Sequence, residues 1–414
     1  SWPADAILRT LTWKQGNAMI NSLKKVGFGW VSVLSLSVVL SLTPVFEVSA
    51  AETDGNSTRK GIKIRKKIRL QRSVTDTSED YNRAKRQLLG RKRDALIQDI
   101  KKFIRDSRDT RQKAELNLRL GGLYLEDYYA KLADAQDVFE VQMKEWDELK
   151  ASKKKGKPPS LDNSHAIGAL KRARGIYKDL VKRYPKHTRR DEMLYFLALT
   201  SLDTGNVKEG MRYFQKLSVE TPQSKYVNEA LIQLGDHYFD TNNFPKAETY
   251  YVKLIGKKYR PLLPYAMYKR SWCAYNQQRH KEALNGFKWV IENEEDFKEA
   301  PVKVRREAFK DITLPFADLK LVNEGIAFFR KYGNPVYRDG LTTLGALFYE
   351  QGNYANTIKV YKVLLGMDRN YYKNPEYDIS IIESHMNAGN PSAAVSRLFE
   401  RLPNYAQNST WYEL

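Results

Sequence analysis

The chain has 414 residues, of which 70 are Lys or Arg and 49 are Asp or Glu, so its formal net charge is +21. Apolar residues make up 42% and charged residues 29%, a balance that excludes a largely disordered chain and is typical of a soluble protein with a continuous core. The single cysteine, Cys273, excludes an internal disulfide bond and is expected to be a packed thiol within a helix.

The positive charge is concentrated near the N-terminus. Residues 51–113 contain 20 basic and 9 acidic side chains, a net charge of +11. Residues 114–414 contain 46 basic and 38 acidic side chains, a net charge of only +8. A basic region of this kind predicts contact with an anionic surface or partner.

The first 50 residues have the pattern of an export signal that follows a start-site extension. We interpret residues 1–18 as the extension, because a good start follows at Met19, and residues 19–50 as a signal peptide. Two lysines precede the apolar run 26–46, and small residues ending at Ala50 suit signal peptidase. The alternative is an uncleaved membrane anchor, since about 20 apolar residues can span a bilayer. Either interpretation places the rest of the chain outside the cytoplasm.

Residues 51–76 are predicted to form a basic, mostly disordered linker. Within it, residues 61–70 alternate between apolar and basic side chains, a period typical of a strand with two different faces. The basic face consists of Lys63, Arg65, Lys67 and Arg69. Such a segment would add to a sheet edge or lie on an anionic surface. The alternative, which we favour, is a solvated tether, because an isolated strand is unstable in water.

Residues 77–110 have a helical pattern. Leu89, Leu96, Ile100 and Phe103 lie near one face, and acidic residues stand at the start, as is common for helices. We expect this segment to be a capping helix that shields the first repeat.

The repeats begin at residue 114, and an insertion interrupts the first of them. The spacing Leu-Gly-x-x-Tyr ends at Tyr124, and the matching small residue of the partner helix, Ala173, comes 52 positions after Gly121. A standard unit places it about 12 positions after the glycine, so we assign an insertion to residues 134–163. Its first part stays helical. Its lysine-rich end, residues 153–159, is predicted to be a solvated loop, with contact to anionic lipid or polymer as the alternative.

A small-x-x-x-large pattern recurs seven times along the chain. The large residues are Tyr177, Phe214, Tyr251, Phe287, Phe329, Tyr361 and Leu398. They follow one another at intervals of 37, 37, 36, 42, 32 and 37 residues. A period in the thirties is typical of stacked helix pairs, because one pair cannot bury its apolar face until neighbours cover it.

Turn signals fall between the paired helices, where glycine and asparagine tolerate a positive φ. They are Gly205-Asn206, Asn242-Asn243, Gly352-Asn353 and Gly389-Asn390. The unit around Phe329 is irregular because Pro315 interrupts its first helix. We expect the array to bend there.

These spacings resemble those of the tetratricopeptide repeat, whose first helix carries Leu-Gly-x-x-Tyr and whose second carries Ala-x-x-x-Phe with a following Pro. Gly121, Gly235 and Gly345 stand at the small position of the first helix. The resemblance covers residues 114–403 and implies an all-α fold, a right-handed superhelix (an α-solenoid) of about seven helix pairs. Residues 404–414 would then open a truncated further repeat.

Two segments are similar to repeats of exported Gram-negative envelope proteins. Residues 222–235 look like those of the Tol-Pal-associated division coordinator and of the lipoprotein of the outer-membrane β-barrel assembly machine. The missing lipid-attachment cysteine departs from that lipoprotein. Residues 268–276, together with the early insertion, are more similar to deltaproteobacterial repeat proteins of the adventurous gliding-motility type. The resemblance implies a periplasmic protein in a cell-envelope complex concerned with motility, division or the outer membrane.

The sequence contains no motif that points to catalysis. The five histidines are scattered without metal-ligand spacing, and there is neither a phosphate-binding Gly-rich loop nor a Gly-x-Ser-x-Gly elbow. We therefore expect no cofactor, no metal site and no enzymatic activity. Nucleic acid is an unsuitable partner, because the tyrosines stand at core spacings and export removes the chain from it.

We expect the partner to bind in the groove lined by the first helices of the pairs. Counting from the small residue of each first helix gives groove positions that include Tyr195, Phe239, Tyr268, Trp272, Tyr275 and Tyr349, and we add Tyr265 because it lies in line with the third to fifth of these. The residues from 265 to 275 form one aromatic stripe. Aromatic rings with polar edges are good anchors for an extended or helical peptide. Packing within the irregular array is the alternative, and the sequence leaves the two open.

The sequence thus predicts a non-enzymatic periplasmic scaffold that mediates protein–protein interactions. The alternative is a protein that grips peptidoglycan or anionic lipid with its basic N-terminal segment and uses the repeats as a spacer. A catalytic domain beyond residue 414 is a third hypothesis. The oligomeric state and the identity of the partner are not predicted.

Overall fold

The structure, a computed structural model, describes residues 74–151, 157–407, 409 and 411–412. The predicted signal peptide, most of the basic linker and part of the lysine-rich loop lie outside these residues. All regular secondary structure within the described residues is helical, which confirms the all-α class. No helix in this part of the chain is both long and apolar enough to cross a membrane.

The described residues divide into two compact units, one ending at residue 226 and the other beginning at residue 227. The described part of the first unit contains one long leading helix and two helix pairs. Its helices are α1 (Val74–Asp106), α2 (Thr110–Ala151), α3 (Ser164–Arg183), α4 (Arg190–Asp203) and α5 (Val207–Glu220). The pairs are α2 with α3 and α4 with α5.

The second unit contains five helix pairs. Its helices are α6 (Val227–Asp240), α7 (Phe244–Gly256), α8 (Leu263–Asn276), α9 (His280–Asn293), α10 (Arg305–Asp311), α11 (Thr313–Asp318), α12 (Val322–Arg330), α13 (Val336–Glu350), α14 (Tyr354–Met367), α15 (Asn374–Asn387) and α16 (Pro391–Arg401). Short 3₁₀ turns lie at Arg260–Leu262, Glu294–Asp296 and Leu402–Tyr405. Together, the described residues of the two units form the seven helix pairs that the sequence predicts.

The segment predicted to be a capping helix, residues 77–110, lies largely within α1. This helix runs antiparallel to α2: Arg93 pairs with Asp127 at 3.2 Å, and Arg86 pairs with Asp134, farther along α2, at 3.1 Å. α1 buries Ile97 and Ile100. The first part of the predicted insertion 134–163 is helical, as expected. It continues α2 without a break to Ala151, so the long hairpin of α1 and α2 extends beyond the first pair.

The small residue of each first helix lies directly against the large aromatic residue of its partner helix in two of the pairs. A Cβ atom added to Gly121 would lie 2.8 Å from Cζ of Tyr177, and one added to Gly235 would lie 2.6 Å from Cε1 of Tyr251. Both tyrosines are fully buried. The glycine therefore leaves the space that the ring of the second helix occupies, across the insertion as well as within a regular pair.

The turns between paired helices have the expected backbone conformation. Gly205, Gly352 and Gly389 have φ of 80°, 71° and 74°, and Asn242 has φ of 58°. In each case the following asparagine is the N-cap of the second helix. Left-handed backbone is accessible to glycine and tolerated by asparagine, which explains the choice of residue.

Pro315 does interrupt the first helix of the irregular pair. α10 ends at Asp311 and α11 begins at Thr313, so one regular helix is replaced by two short ones. Pro315 has no backbone N–H to donate to the carbonyl of Asp311, which removes the bond that would have joined the two. Ahead of α10, the buried carboxylate of Glu294 accepts from Val304 N at 2.5 Å and from Arg305 N at 3.1 Å. These contacts accommodate the longer interval of 42 residues in the repeat.

Candidate partner-binding face

Helix α8 carries four of the seven predicted groove residues. Tyr265, Tyr268, Trp272 and Tyr275 are spaced by three, four and three residues, so they lie on one side of a 3.6-residue helix. The structure brings them together with carboxylates from the first helices of the neighbouring pairs. Tyr265 is buried, whereas the other three are half-buried.

Tyr265 belongs to the core rather than to a binding surface. Its hydroxyl donates to both carboxylate oxygens of Asp236 on α6 at 3.1 Å, and only 8% of the residue is exposed. Tyr251 donates to the same carboxylate at 2.6 Å. Burial raises the pKa of Asp236, and the charge of Lys269 and the tyrosine hydrogen bonds oppose that rise. The structure therefore places Tyr265 in the core, where its hydroxyl satisfies the half-buried carboxylate of Asp236.

The ring of Phe239 also makes a contact within the fold. The Nζ atom of Lys269 lies 3.7 Å from the centroid of its ring, a short cation–π contact. Lys269 is itself buried and lies 4.0 Å from Asp236 Oδ1. The half-buried ring of Phe239 therefore already has a cation on it.

Tyr268 and Trp272 share one carboxylate, that of Asp311 at the end of α10. The Tyr268 hydroxyl donates to Asp311 Oδ2 at 2.6 Å, and Trp272 Nε1 donates to the same oxygen at 3.0 Å. Burial raises the pKa of Asp311 to about 6, and these hydrogen bonds oppose that shift. Burial and the adjacent carboxylate raise the pKa of Tyr268 as well.

The second oxygen of Asp311 is available. Among the described residues no group donates to Oδ1, and this oxygen is not among the buried polar atoms without a partner. It is therefore not wholly shielded from solvent. Asp311 thus has one oxygen fixed by two aromatic donors and a second oxygen without a donor among the described residues.

Tyr275 extends the aromatic surface. Its ring centroid lies 5.6 Å from that of Trp272 and 5.2 Å from that of His280, both in edge-on geometry. Burial raises the pKa of Tyr275, as does its hydrogen bond to Asp318. We call the half-buried surface formed by Tyr268, Trp272, Tyr275 and Asp311 the α8 face.

The two remaining aromatic candidates lie elsewhere. Tyr349, on α13, is half-buried, donates to Glu383 at 3.2 Å and accepts from Asn387 at 3.1 Å. Tyr195, in the first unit, is 3% exposed and stacks on Tyr226 at 4.5 Å between centroids. The structure therefore places Tyr195 in the core of the first unit, where the ring of Tyr226 lies against it.

Other predicted features have the following positions. The basic residues Lys63, Arg65, Lys67 and Arg69 lie outside the described residues. Cys273 is buried, as predicted, and burial raises the pKa of its thiol to about 12. In the described part of the chain, no group of three or more His, Cys, Asp or Glu side chains is arranged to hold a metal ion.

Counting from Gly235 also places Asp236 in the groove, but the predicted anchors are all aromatic and do not include the carboxylates. Asp236 and Asp318 each directly follow a small residue in a first helix, Gly235 and Ala317. Asp236 accepts a hydrogen bond from Tyr265 of α8, and the carboxylate of Asp318 contributes to the raised pKa of Tyr275. An acid in an apolar helix beside an aromatic stripe is the signal that could have identified them, since a buried carboxylate needs donors.

Residues 232–287 match the family model of the tetratricopeptide repeat, a segment that includes all of α8. A tetratricopeptide repeat protein from Parabacteroides merdae is 13% identical over 64% of this chain and 79% of its own, with a TM-score of 0.30. The C-terminal part of a repeat-containing protein from Cytophaga hutchinsonii is 12% identical over 68% of this chain and 99% of its own, with a TM-score of 0.34. No curated protein matches the sequence. At these TM-scores the structural similarities carry no further argument.

Proposed function

We propose, from the match of residues 232–287 to the tetratricopeptide repeat, that the chain is a non-enzymatic scaffold that holds a partner protein on the α8 face. The proposal further places it in the periplasm, within a cell-envelope complex. Repeats of stacked helix pairs generate extended binding surfaces, and their function depends on the side chains that line them.

The fixed orientation of the α8 face carries the proposal. Tyr268 and Trp272 are held by hydrogen bonds to Asp311, and Tyr275 packs edge-on against the rings of Trp272 and His280. Their rings nevertheless remain partly exposed. Aromatic side chains that are already ordered lose little conformational entropy on binding, and such residues dominate the energetics of protein interfaces.

A comparison of partners captured by wild-type and variant proteins tests this assignment. Trp272→Ala and Tyr275→Ala are combined in one variant, and Tyr372→Ala, which removes a ring that is 67% exposed, is the control. Proteins cross-linked in intact cells are then recovered and compared. We expect a specific partner to be lost in the double variant and kept in the control, with helical content and unfolding temperature checked for all three. An unchanged set of partners in a folded double variant would exclude the α8 face as the site.

The proposed location is supported by the sequence of residues 19–50. If this signal is cleaved after Ala50, N-terminal sequencing of the mature protein will begin at Ala51, and the protein will be recovered with the periplasmic fraction. An intact N-terminus in the membrane fraction would favour the anchored alternative. Recovery from the cytoplasm would exclude both.

The concentration of positive charge in residues 51–113 supports a second candidate function, a grip on peptidoglycan or anionic lipid. Such a grip is electrostatic and should weaken as salt screens the charges, with a Debye length of about 8 Å at 0.15 M. Co-sedimentation with purified peptidoglycan or anionic vesicles, with and without deletion of residues 59–72, measures it. Binding that survives both the deletion and high salt would rule out this role for the segment.

A further inference from the structure

The charges of the second unit are segregated between the two helices of each pair. The first helices, α6, α8, α10, α11, α13 and α15, contain 11 acidic and 6 basic residues within their bounds. The second helices, α7, α9, α12, α14 and α16, contain 5 acidic and 9 basic residues. The first helices are therefore net acidic as a set, although α8 and α10, which carry the α8 face, contain 2 acidic and 5 basic residues.

The first helices form one layer through their side chains. Tyr265 of α8 bonds to Asp236 of α6, and Tyr268 bonds to Asp311 of α10. Farther along, Tyr349 of α13 bonds to Glu383 of α15. Aromatic donors and carboxylate acceptors thus alternate from one first helix to the next, and this layer contains the α8 face.

Both cations of α8 are already engaged within the unit. Lys269 contacts Asp236 and the ring of Phe239. Arg270 lies 3.5 Å from Glu248 and 3.8 Å from Glu282. Neither is therefore positioned to neutralise Asp311.

The charged groups that act on Asp311 lie on its own helix. Glu307, one turn earlier, is exposed and adds negative charge, whereas the exposed Lys310 adds positive charge. No group of the described residues bonds to Asp311 Oδ1, so a carboxylate oxygen and three partly exposed rings stand side by side. A guanidinium or ammonium group placed there would pair with the oxygen and lie against the rings.

We propose that the partner bound at the α8 face presents a cationic segment, in which a Lys or Arg side chain pairs with Asp311 Oδ1 and packs on Tyr268, Trp272 or Tyr275. This inference rests on the proposed function and specifies the chemistry of the partner. The carboxylate of Asp311 attracts such a segment and disfavours an acidic one, because like charges across an interface oppose association.

The test uses two fluorescein-labelled 16-residue peptides, one with four repeats of Lys-Ala-Arg-Ala and one with four repeats of Glu-Ala-Asp-Ala. Binding to the full chain is followed by fluorescence anisotropy at low and high salt. We expect the basic peptide to bind and the acidic peptide not to bind, with affinity falling as salt rises. Failure of the basic peptide to bind, or equal binding of both peptides, overturns the inference.

Matched variants locate the binding. Asp311→Asn keeps the shape and the acceptor for Tyr268 and Trp272 but removes the charge. Glu324→Gln removes an exposed charge from α12, a second helix. We expect Asp311→Asn to weaken binding of the basic peptide about five-fold or more and Glu324→Gln to change it by less than about two-fold. Equal effects of the two variants overturn the assignment to the α8 face.

Two further outcomes separate this inference from the proposed function. If Trp272→Ala with Tyr275→Ala abolishes partner capture while Asp311→Asn changes neither capture nor peptide binding, the scaffold role stands and the cationic partner is wrong. If deletion of residues 59–72 strengthens peptide binding, the chain's own basic segment competes for the face, and a separate cationic partner is wrong.

Discussion

Gly121 and Gly122 are neighbours on α2, and the structure predicts opposite effects for the same substitution. A Cβ at Gly121 would lie 2.8, 3.1 and 3.2 Å from three ring atoms of Tyr177, whereas a Cβ at Gly122 meets nothing within 4 Å. Carbon atoms in favourable contact are about 3.5–4.0 Å apart. The ring of Tyr177 cannot turn away, because only 1% of this residue is exposed.

Alanine improves helix propensity by about 1 kcal/mol at either position. Overpacking of a buried site costs about 1–3 kcal/mol. We therefore expect Gly122→Ala to raise the free energy of unfolding by about 1 kcal/mol and Gly121→Ala to leave it unchanged or lower it by up to about 2 kcal/mol. The propensity gain is common to both variants, so their difference isolates the steric cost of the contact with Tyr177.

Urea unfolding followed by circular dichroism measures this difference in the transition midpoint. Combining Gly121→Ala with Tyr177→Leu should recover part of the stability lost in Gly121→Ala, because the shorter side chain leaves the space beside position 121 empty. A double-mutant cycle measures the coupling energy between the two positions. The reasoning is refuted if Gly121→Ala and Gly122→Ala unfold at the same urea concentration, or if the cycle shows no coupling.

Three further predictions concern the second unit. Tyr265→Phe should lower the free energy of unfolding by about 1–2 kcal/mol, because it removes the hydroxyl of a buried residue from Asp236. Tyr349→Phe, which removes a more exposed hydrogen bond, should change it by less than about 0.5 kcal/mol. Equal effects in thermal unfolding would contradict the burial argument. Asp311 has a folded-state pKa of about 6, above that of an unfolded aspartate at about 3.9, so the folded protein binds this proton more tightly and loses stability as pH rises from about 4 to 6. The free energy of unfolding, measured by urea titration at several pH values, should therefore fall more steeply with pH in this window for wild type than for Asp311→Asn. Parallel pH profiles of the two proteins would count against the shift. Cys273 should not react with a thiol reagent in the native protein, because its thiol is buried and its pKa is raised to about 12. It should react once the chain is unfolded. Rapid labelling of the native protein would show that solvent reaches the thiol.

The regular part of the fold follows from sequence because its determinants lie within a single helix or a single helix pair. The contact of Gly121 with Tyr177 is encoded by two residue types at matching helix positions, and Pro315 breaks its helix whatever surrounds it. The positive φ at Gly205 and Asn242 is likewise a property of those residues. Such features do not depend on how neighbouring pairs are placed.

The candidate site depends on contacts between pairs, and there the sequence prediction was incomplete. Tyr265 and Tyr268 occupy similar positions on α8, yet one is buried against Asp236 and the other is half-buried against Asp311. The difference arises from the acid on the neighbouring helix and from the break at Pro315, which ends α10 at Asp311. Tyr195 is likewise buried by a contact that its own helix does not reveal, since it stacks on the ring of Tyr226.

A photo-activated cross-linking residue at position 276 tests the central claim most directly. Asn276 is exposed and directly follows Tyr275, whereas Gly366, the control position, is exposed on α14, a second helix. The account predicts that irradiation of living cells yields a discrete adduct with another protein from position 276 and none from position 366. No adduct at position 276, or the same adducts from both positions, would contradict the claim that the α8 face holds a partner.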